Sequence, residues 1–278
     1  MKKMKPEFHY LKPRGGIYIE QNIKTVEKAF FLIEQIADQP RSFTELIDLM
    51  SSNKATIHRF VTTLENLGYI AKNQQEKYQL TPKFHSIGSK AVEQFNLIEI
   101  AKPYLTQLAF EVNESVLIAG YSNNTVYYLD KIESPAALRI VVEPGKTAPL
   151  YSVASGKLYL AHLNEEEREE YFLTQPLTPI TERTITNPEH MKKELQEIRE
   201  KGFAVDHEEW EEYLRGVAFP IYDYTNKLVS ALCIAGVSYR FTEEKVSCIV
   251  SKGARIAGEI SSLLGYVRRE RGPVYEKK

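Results

Sequence analysis

One segment, residues 42–68, constrains the fold more than any other, because it reads as two short amphipathic helices separated by a polar break. Ser42 and Glu45 have the spacing of a capping box, in which each side chain bonds a free backbone N–H of the first helix. The break, Ser51-Ser52-Asn53, offers N-cap oxygens to the second helix, which Gly68 is suited to end. The predicted apolar faces are Leu46, Ile47, Leu49 and Met50, then Ile57, Phe60, Val61, Leu64 and Leu67. This pattern predicts a helix-turn-helix.

The opposite face of the second helix carries residue types that suit contact with DNA. Ala55 and Thr62 are short enough to let the backbone approach base edges, and Arg59 has the planar fork that binds guanine. Lys54 and Thr56 lie at the N-terminal rim, where a helix attracts phosphate. The alternative is an ordinary solvated helix surface. The residues predicted to contact DNA are Ser42, Ser52, Asn53, Lys54, Ala55, Thr56, His58, Arg59, Thr62 and, from the loop described next, Lys72.

Short patterns on both sides of this segment complete a small domain. Residues 69–71 and 77–80 read as two strands whose polar turn forms a wing able to lie along a phosphate backbone. Upstream, residues 23–37 have the spacing of a helix, and its predicted core residues are Val26, Phe30, Ile33 and Ile36. The sequence therefore predicts a winged helix-turn-helix DNA-binding domain over residues 23–84.

The charge of the chain is unevenly divided. The whole sequence has a formal net charge of −1, but residues 1–84 hold 13 Lys and Arg against 9 Asp and Glu, a net of +4. The rest of the chain therefore carries −5. A basic domain attracts DNA phosphates and binds in a salt-dependent way, whereas an acidic domain is repelled by them. This division favours DNA binding by the first domain.

The length and composition suit two domains joined by a helix. The chain has 278 residues, of which 43% are hydrophobic, enough for a core in each domain. Residues 85–101 keep apolar spacing and are predicted to form a linker helix, with a break or a new start at Pro103. Residues 1–22 read as a flexible basic leader, either disordered or an arm along the minor groove, and residues 268–278 as a charged tail.

Residues 102–267 alternate strand-like and helical patterns, which predicts a mixed α+β domain. Strand patterns cover residues 115–121, 125–132, 138–142, 217–221 and 228–235. Turn signals follow the first of these at Ser122-Asn123-Asn124 and separate the last two at residues 223–227. Predicted helices begin at Asn164 and at Asn187-Pro188, and a long one covers residues 243–264.

Five stretches of this sequence carry a resemblance to a known family. They are ATIHRFVTTLENLGYI, KYQLTPKFHSIG, PLYSVASGKLYLAHL, GFAVDHEEW and GVAFPIYD, at residues 55–70, 77–88, 149–163, 202–210 and 216–223. In this order they resemble the isocitrate-lyase-regulator (IclR) family of bacterial transcription factors, over residues 23–266. The resemblance implies an α+β protein of two domains, a winged helix-turn-helix followed by a GAF-like α/β effector-binding domain with a curved sheet.

The resemblance also implies where an effector binds. Residues 154–157 follow Pro149 and open a helix, and their small side chains leave backbone N–H groups open to a carboxylate. Asp206 is the most informative of the other matching positions, and its alternative role is that of a surface acid in a turn. The implied effector-binding residues are Tyr151, Ala154, Ser155, Gly156, Asp206, Gly216, Cys233 and Ala235, and Tyr128 and Trp210 are further candidates for the lining. The alternative role of Tyr151, Tyr128 and Trp210 is packing in the core or at the surface.

The chain departs from better-known members of that family at three of these positions. Those members often carry Cys where this chain has Gly216, and Ser where this chain has Cys233 and Ala235. These replacements remove hydrogen-bond donors and leave more room. A bulkier carboxylate, such as an aromatic acid or a sugar acid, is therefore expected in place of glyoxylate or pyruvate.

The sequence carries no pattern typical of an enzyme, a cofactor site or a metal site. Ser155 and His162 lack a nucleophile elbow, and the six His and two Cys form neither HExxH nor CxxC. Cys233 and Cys248 lie in apolar segments and read as reduced thiols. No apolar run approaches the roughly 20 residues that span a bilayer, and the N-terminus lacks a secretion signal. We therefore expect a cytoplasmic protein without catalytic activity, cofactor or metal.

Together these features predict a ligand-responsive transcriptional regulator that represses a catabolic operon. It binds double-stranded DNA as a homodimer, or as a tetramer built from dimers, under the control of a small organic acid. Two recognition helices would enter major grooves about 34 Å apart on an approximately palindromic operator. The alternatives are a small-molecule sensor whose winged helix contacts another protein, and a remnant enzyme that uses the same pocket.

Overall fold

The computed structural model describes residues 23–50, 52–94, 96–140 and 143–267. The predicted leader and tail therefore lie outside the described residues. The chain divides into two compact units, residues 1–95 and 96–278. In the described ranges, no helix is both long enough and apolar enough to cross a membrane.

The first unit contains the predicted winged helix-turn-helix. Its elements are α1 (Lys24–Asp38), α2 (Phe43–Leu49), α3 (Lys54–Asn66), the antiparallel strands β1 (Ile70–Lys72) and β2 (Tyr78–Leu80), and α4 (Lys83–Gln94). The Ser42–Glu45 capping box opens α2, and Asn53 caps α3 by accepting the N–H of Thr56 at 2.8 Å. Gly68 has the predicted left-handed conformation, with φ of 74°. These helix ends form as predicted because each one provides hydrogen-bond partners or a suitable conformation for backbone groups close by in the chain.

The core of the first unit differs from the predicted core at four positions. Val26 and Phe30 of α1 are 48% and 56% exposed, and Leu49 and Leu67 are also exposed. Only the second half of α1 packs on the core, where Leu32 is fully buried and was missed by the helical spacing. The apolar stripe of α1 is thus longer than the surface that this small core can cover.

The predicted linker helix is in fact part of two helices. The first, α4, ends at Gln94, and α5 (Leu97–Val112) begins at Asn96, whose side chain accepts the N–H of Ile98 at 3.1 Å. Pro103 lies inside α5 and does not break it. A proline inside a helix costs about 3 kcal/mol, which burial of the apolar residues on both sides offsets. Those buried residues are Ala101, Leu105, Leu108, Ala109 and Val112.

The second unit is built on one antiparallel sheet of six strands. They are β3 (Ser115–Ser122), β4 (Thr125–Ile132), β5 (Thr147–Pro149), β6 (Ala204–His207), β7 (Leu214–Tyr222) and β8 (Leu228–Val237), in the order β5-β4-β3-β8-β7-β6. The predicted turn between β3 and β4 is confirmed, with positive φ at Asn123 and Asn124 as a tight hairpin requires. Residues 138–140 of the predicted strand at 138–142 are not a strand, because β5 takes the place beside β4; residues 141–142 lie outside the described ranges.

Helices cover both faces of the sheet. On one face lie α5 and α9 (Glu243–Leu263), and on the other α6 (Ala154–His162), α7 (Glu165–Thr174) and α8 (Pro188–Lys201). Successive residues of β3 alternate between two cores, since Val116 and Ile118 join the core under α5 and α9 while Leu117 and Ala119 join the core under α6. The expected mixed α/β architecture is confirmed, as are the helix starts at Asn164 and Asn187.

Candidate functional site

The outward face of α3 carries most of the residues predicted to contact DNA. Ile57, Val61 and Leu64 are buried and hold the helix on its unit. The side chains on the other side are Asn53, Lys54, Ala55, His58 and Arg59, which are exposed, and Thr56 and Thr62, which are half-buried. The face selected by helical spacing therefore points away from the core.

Several of the predicted side chains already have partners within the unit. Ser42 and Asn53 are the helix caps described above. The Ser52 hydroxyl accepts a hydrogen bond from Lys28 at 2.9 Å, and the His58 ring meets the aromatic ring at the start of α2 edge-on, with centroids 5.9 Å apart. These four residues contribute to the geometry of the helix-turn-helix before any DNA is present.

The basic residues of this surface differ in how they are engaged. In the wing, Lys72 forms an exposed ion pair with Glu76 at 2.5 Å. Lys54 and Arg59 make no ion pair and no side-chain hydrogen bond with any residue that the structure describes. Two unpaired cations thus stand on the exposed face of α3, one at its N-terminus and one at the next turn.

A cavity of about 280 Å³ lies in the second unit, between the sheet and the first turn of α6. Its apolar lining includes Leu117, Ile140, Ala148, Val153, Trp210, Leu214, Val217 and Ile234. Its polar lining comprises Tyr128, Lys146, Thr147, Ser155, Asp206, Glu211 and Cys233. The walls therefore suit an organic molecule with an apolar body and a few polar groups.

Six of the eight residues implied as effector contacts line this cavity: Ala154, Ser155, Asp206, Gly216, Cys233 and Ala235. Tyr151 and Gly156 do not. The Tyr151 hydroxyl donates to the carbonyl of Thr178 at 3.1 Å, which fixes a loop. A Cβ at Gly156 would lie 2.2 Å from the carbonyl oxygen of Leu150, so this glycine is needed for close backbone packing. Tyr128 and Trp210, the further candidates, are in the lining.

Asp206 is buried in the lining, and its alternative role as a surface acid in a turn is wrong. It lies in β6 opposite Gly216 of β7 and is 2% exposed. Its Oδ1 accepts the backbone N–H of Glu209 at 2.7 Å. Burial, opposed in part by this hydrogen bond, raises the pKa of Asp206 to about 7. This carboxyl can therefore hold a proton near neutral pH.

Two other polar groups of the lining are held in their neutral forms. Burial raises the pKa of Cys233 to about 12, and it raises the pKa of the Tyr128 phenol as well. The nearby Ser155 side chain opposes both shifts but does not cancel them. These groups therefore offer hydroxyl and thiol hydrogens to a ligand, and Lys146, the one cation among the described residues of the lining, is exposed.

The first turn of α6 lacks a side-chain cap. Val153 stands at its N-cap position and supplies no oxygen, although the residues that follow it are buried. Asn53, Asn164 and Asn187, by contrast, cap α3, α7 and α8 with their side chains. The free N–H groups of a buried helix end need a partner, and a ligand is one possible source. The beginning of α6 is thus suited to a carboxylate.

Sequence reasoning missed a buried ion cluster behind the cavity wall. Lys157 is completely buried in α6, and its Nζ lies 2.6 Å from Oε1 of Glu209 and 2.9 Å from Oε1 of Glu194 in α8. The second carboxylate oxygen of Glu209 is buried and has no hydrogen-bond partner. The signal was Lys157, the single lysine in residues 153–163, where most of its neighbours are apolar.

The two units together define a class of protein. A winged helix-turn-helix with unpaired cations on its second helix, carried on the same chain as an α/β unit with an internal cavity, is the architecture of a DNA-binding transcriptional regulator.

Comparison with known proteins gives the family. Residues 25–74 match the IclR helix-turn-helix domain, and residues 89–262 match the domain described as bacterial transcriptional regulator IclR C-terminal. The chain belongs to the IclR family of DNA-binding transcriptional regulators, as the five sequence stretches indicated.

Individual relatives match over almost their whole length. The chain is 32% identical over 247 residues to the HTH-type transcriptional regulator KdgR of Escherichia coli, covering 88% of this chain and 94% of that one. It is 29% identical over 249 residues to the DNA-binding transcriptional repressor YiaJ of Escherichia coli, covering 87% and 88%. Among solved structures, the IclR protein of Thermotoga maritima is 33% identical, with a TM-score of 0.59 over 88% of this chain and all of that one.

Proposed function

We propose that this protein is a cytoplasmic repressor of a catabolic operon. A small carboxylate that binds in the cavity of its second unit either releases the protein from DNA or promotes its DNA binding. The observation that carries the proposal is the convergence of six implied effector positions, from residue 154 to residue 235, on one cavity. A repressor role is in keeping with the relative YiaJ, which is a DNA-binding transcriptional repressor. A DNA partner supports a location in the cytoplasm.

The DNA-binding part of the proposal depends on α3. Arg59 projects from its exposed face without a partner among the described residues, so its guanidinium can donate two hydrogen bonds to a guanine. Lys54 and the free N–H groups at the start of α3 suit a phosphate. Ala55 lies between them and lets the helix approach the bases closely. The wing, through Lys72, adds a further phosphate contact.

The effector part depends on size and charge. The uncapped first turn of α6 attracts a carboxylate, and the apolar walls around it favour a molecule with an apolar or ring-shaped body. Gly216 lines the cavity, and a Cβ added there would meet Ala154, Asp206 and Ile234 at ordinary van der Waals distances of 3.8 Å, so glycine leaves room that a larger side chain would take. These features support a ligand bulkier than glyoxylate or pyruvate, such as an aromatic acid or a sugar acid.

Assembly as a dimer, or as a tetramer of two dimers, is supported by an apolar strip on α1. Ile23, Val26 and Phe30 follow helical spacing and are 68%, 48% and 56% exposed. An exposed apolar strip on a small unit is typical of an interface. A symmetric pair of DNA-binding units would present two α3 helices about 34 Å apart to an approximately palindromic operator.

DNA binding is tested by gel shift with the DNA that flanks the gene of this protein. We expect a salt-dependent shift, and Arg59→Ala should weaken it by about 1–3 kcal/mol with loss of base preference. Arg183→Ala, which removes an equally exposed charge from the second unit, is the control and should bind like the wild type. If the wild type fails to shift this DNA at low salt, a winged helix that contacts another protein becomes the better explanation.

Ligand binding is tested by a thermal-shift screen of aromatic and sugar acids. A ligand that binds only the folded state raises the melting temperature. Gly216→Leu should fill the cavity and abolish this rise, while Gly216→Ala, whose Cβ meets only ordinary van der Waals contacts at 3.8 Å, should keep it. An equal rise in the melting temperature of Gly216→Leu would show that the ligand binds elsewhere. Addition of the acid to the gel shift then decides whether it releases or promotes DNA binding.

A further inference from the structure

We propose that the cavity binds its carboxylate ligand together with one proton, which Asp206 carries and donates to the ligand as a hydrogen bond. This inference rests on the carboxylate ligand of the proposed function. It adds that the ligand anion enters a site whose buried charge is already negative, and that a proton from solvent compensates it.

The first argument is the count of charges beside the cavity, of which Glu194, with a side chain that is 26% exposed, is only partly buried. Asp206, Glu209 and Glu194 are three carboxyl groups, and Lys157 is the one ammonium group that contacts any of them within the described ranges. Lys157 already shares its single positive charge between Glu209 and Glu194, and it does not line the cavity, so its weak attraction for the Asp206 carboxylate does not balance a ligand anion as well. A fourth carboxylate placed here without a proton would meet uncompensated repulsion at low dielectric.

The second argument is that the other groups around Asp206 cannot supply the missing positive charge. Tyr128 of β4 and Cys233 of β8 are neutral, for the reasons given above. Lys146 and Glu211 line the cavity with opposite charges, and both side chains are exposed and screened by solvent. The remaining titratable neighbours, His207 of β6 and Arg215 of β7, are paired with each other in the sheet and alternate to the opposite face from Asp206.

The third argument is the position of the Asp206 carboxyl. It is 2% exposed, lines the cavity, and lies opposite Gly216, which has no side chain that could cover the carboxyl from β7. An ionised carboxylate can only accept hydrogen bonds, whereas a protonated one donates to another carboxylate. Because burial already raises the pKa of Asp206 to about 7, a neighbouring anion needs only to complete the protonation.

The coupling between ligand binding and proton uptake predicts the direction in which ligand affinity changes with pH. Above neutral pH the free protein has lost the Asp206 proton, and binding must take it up again, so affinity falls by up to about tenfold for each unit of pH. Below neutral pH the proton is already present, and affinity becomes independent of pH until the ligand itself is protonated.

The test uses the full chain and the probes gluconate, galacturonate, benzoate and 4-hydroxybenzoate. Calorimetry at pH 8 in phosphate and in Tris, which differ in ionisation enthalpy, measures protons taken up per ligand bound. We expect close to one. Affinity is followed from pH 6 to pH 9 by the fluorescence of Trp210, the single tryptophan of the chain, which lies in the cavity lining.

The decisive variant is Asp206→Asn, whose amide donates from the same place without titrating. We expect it to bind the same probe with no proton uptake and a flat pH profile. Glu212→Gln, at an exposed neighbouring position outside the lining, should keep the wild-type profile.

Each other outcome is decisive. Binding by the wild type without proton uptake overturns the inference and leaves the proposed function intact, and this measurement needs no variant. Loss of binding in a folded Asp206→Asn, or retention of the wild-type pH profile, also overturns it. If none of the four acids binds, the ligand class of the proposed function fails and this inference fails with it.

Discussion

The two units place their functional groups in opposite ways. On α3, the side chains that we propose to face DNA come from one helix of 13 residues and lie on its outward side. Around the cavity, the lining residues come from β3 through β8, are separated by up to 118 residues between Leu117 and Ala235, and are mostly buried. A surface that reads a large partner can be built from one element, whereas a cavity for a small molecule needs walls from many.

The two units also differ in whether their ion pairs are exposed or buried. In the first unit, the Lys72–Glu76 pair is exposed to water, and such pairs contribute about 0–1 kcal/mol. In the second unit, the Lys157–Glu209 pair has side chains that are 0% and 2% exposed. Removal of one partner from a buried pair leaves a charge that water does not stabilise. The two units should therefore respond very differently to the same kind of substitution.

The largest effect is expected from Lys157→Met. It leaves Glu209 and Glu194 without their shared cation, and we expect a loss of about 3–5 kcal/mol from the free energy of unfolding of the second unit. Urea denaturation followed by Trp210 fluorescence measures it. Lys192→Met, which breaks only partly exposed pairs with Glu169 and Glu189, is the matched control and should cost about 0–1 kcal/mol. Equal effects in both variants would contradict the contrast.

The next effect is the pH dependence of stability that Asp206 causes. Its pKa of about 7 in the folded chain exceeds the value of about 3.9 for an unfolded chain, so the folded state holds the proton more tightly. The stabilisation is fully present below about pH 4 and is lost as pH rises to about 7, by up to about 4 kcal/mol. Asp206→Asn should remove this loss when urea midpoints are compared between pH 5 and pH 8. Asp48→Asn, at an exposed position of α2, should not change it.

A smaller effect is expected from Ser42→Ala in the first unit. The substitution removes the oxygen that accepts the N–H of Glu45 at the start of α2, and it should cost about 1 kcal/mol. Hydrogen exchange of the α2 amides should speed up accordingly, with no change at the cavity. The control Thr44→Ala, exposed one residue inside the helix, should leave exchange nearly unchanged or slow it.

The smallest effect is expected from Lys72→Ala. Folding stability should change little, because the ion pair with Glu76 is exposed. The logarithmic salt dependence of DNA binding should lose about one unit of slope, and affinity should fall equally for all DNA sequences. Lys201→Ala removes a comparable exposed pair with Glu197 from the second unit and should leave the slope unchanged. A change in base preference would contradict the assignment of Lys72 to phosphate.

The extent to which the sequence predicted the structure also differs between the units. The caps at Ser42 and Asn53, the end at Gly68 and the outward face of α3 were all predictable, because each depends on neighbours within a few residues. The exposure of Val26 and Phe30 was not, because apolar spacing does not reveal whether a core or an interface covers a stripe.

Two failures in the second unit have a similar cause. The pairing of β5 with β4 left no place for a strand at residues 138–140, which only the sheet order reveals. Pro103 was expected at a helix break but lies inside α5, because tertiary burial outweighs its local preference.

By itself, the sequence determined the class of each unit, most of its helices and turns, and the family to which the chain belongs, since periodicity, capping and ordered motifs are local properties. Only the tertiary structure decided that Asp206 is buried, that Gly216 lies opposite it, and that Lys157 is bound between Glu209 and Glu194. Burial and desolvation depend on residues that are distant in the chain and adjacent in the fold. The protonation of a carboxyl group depends on these surroundings.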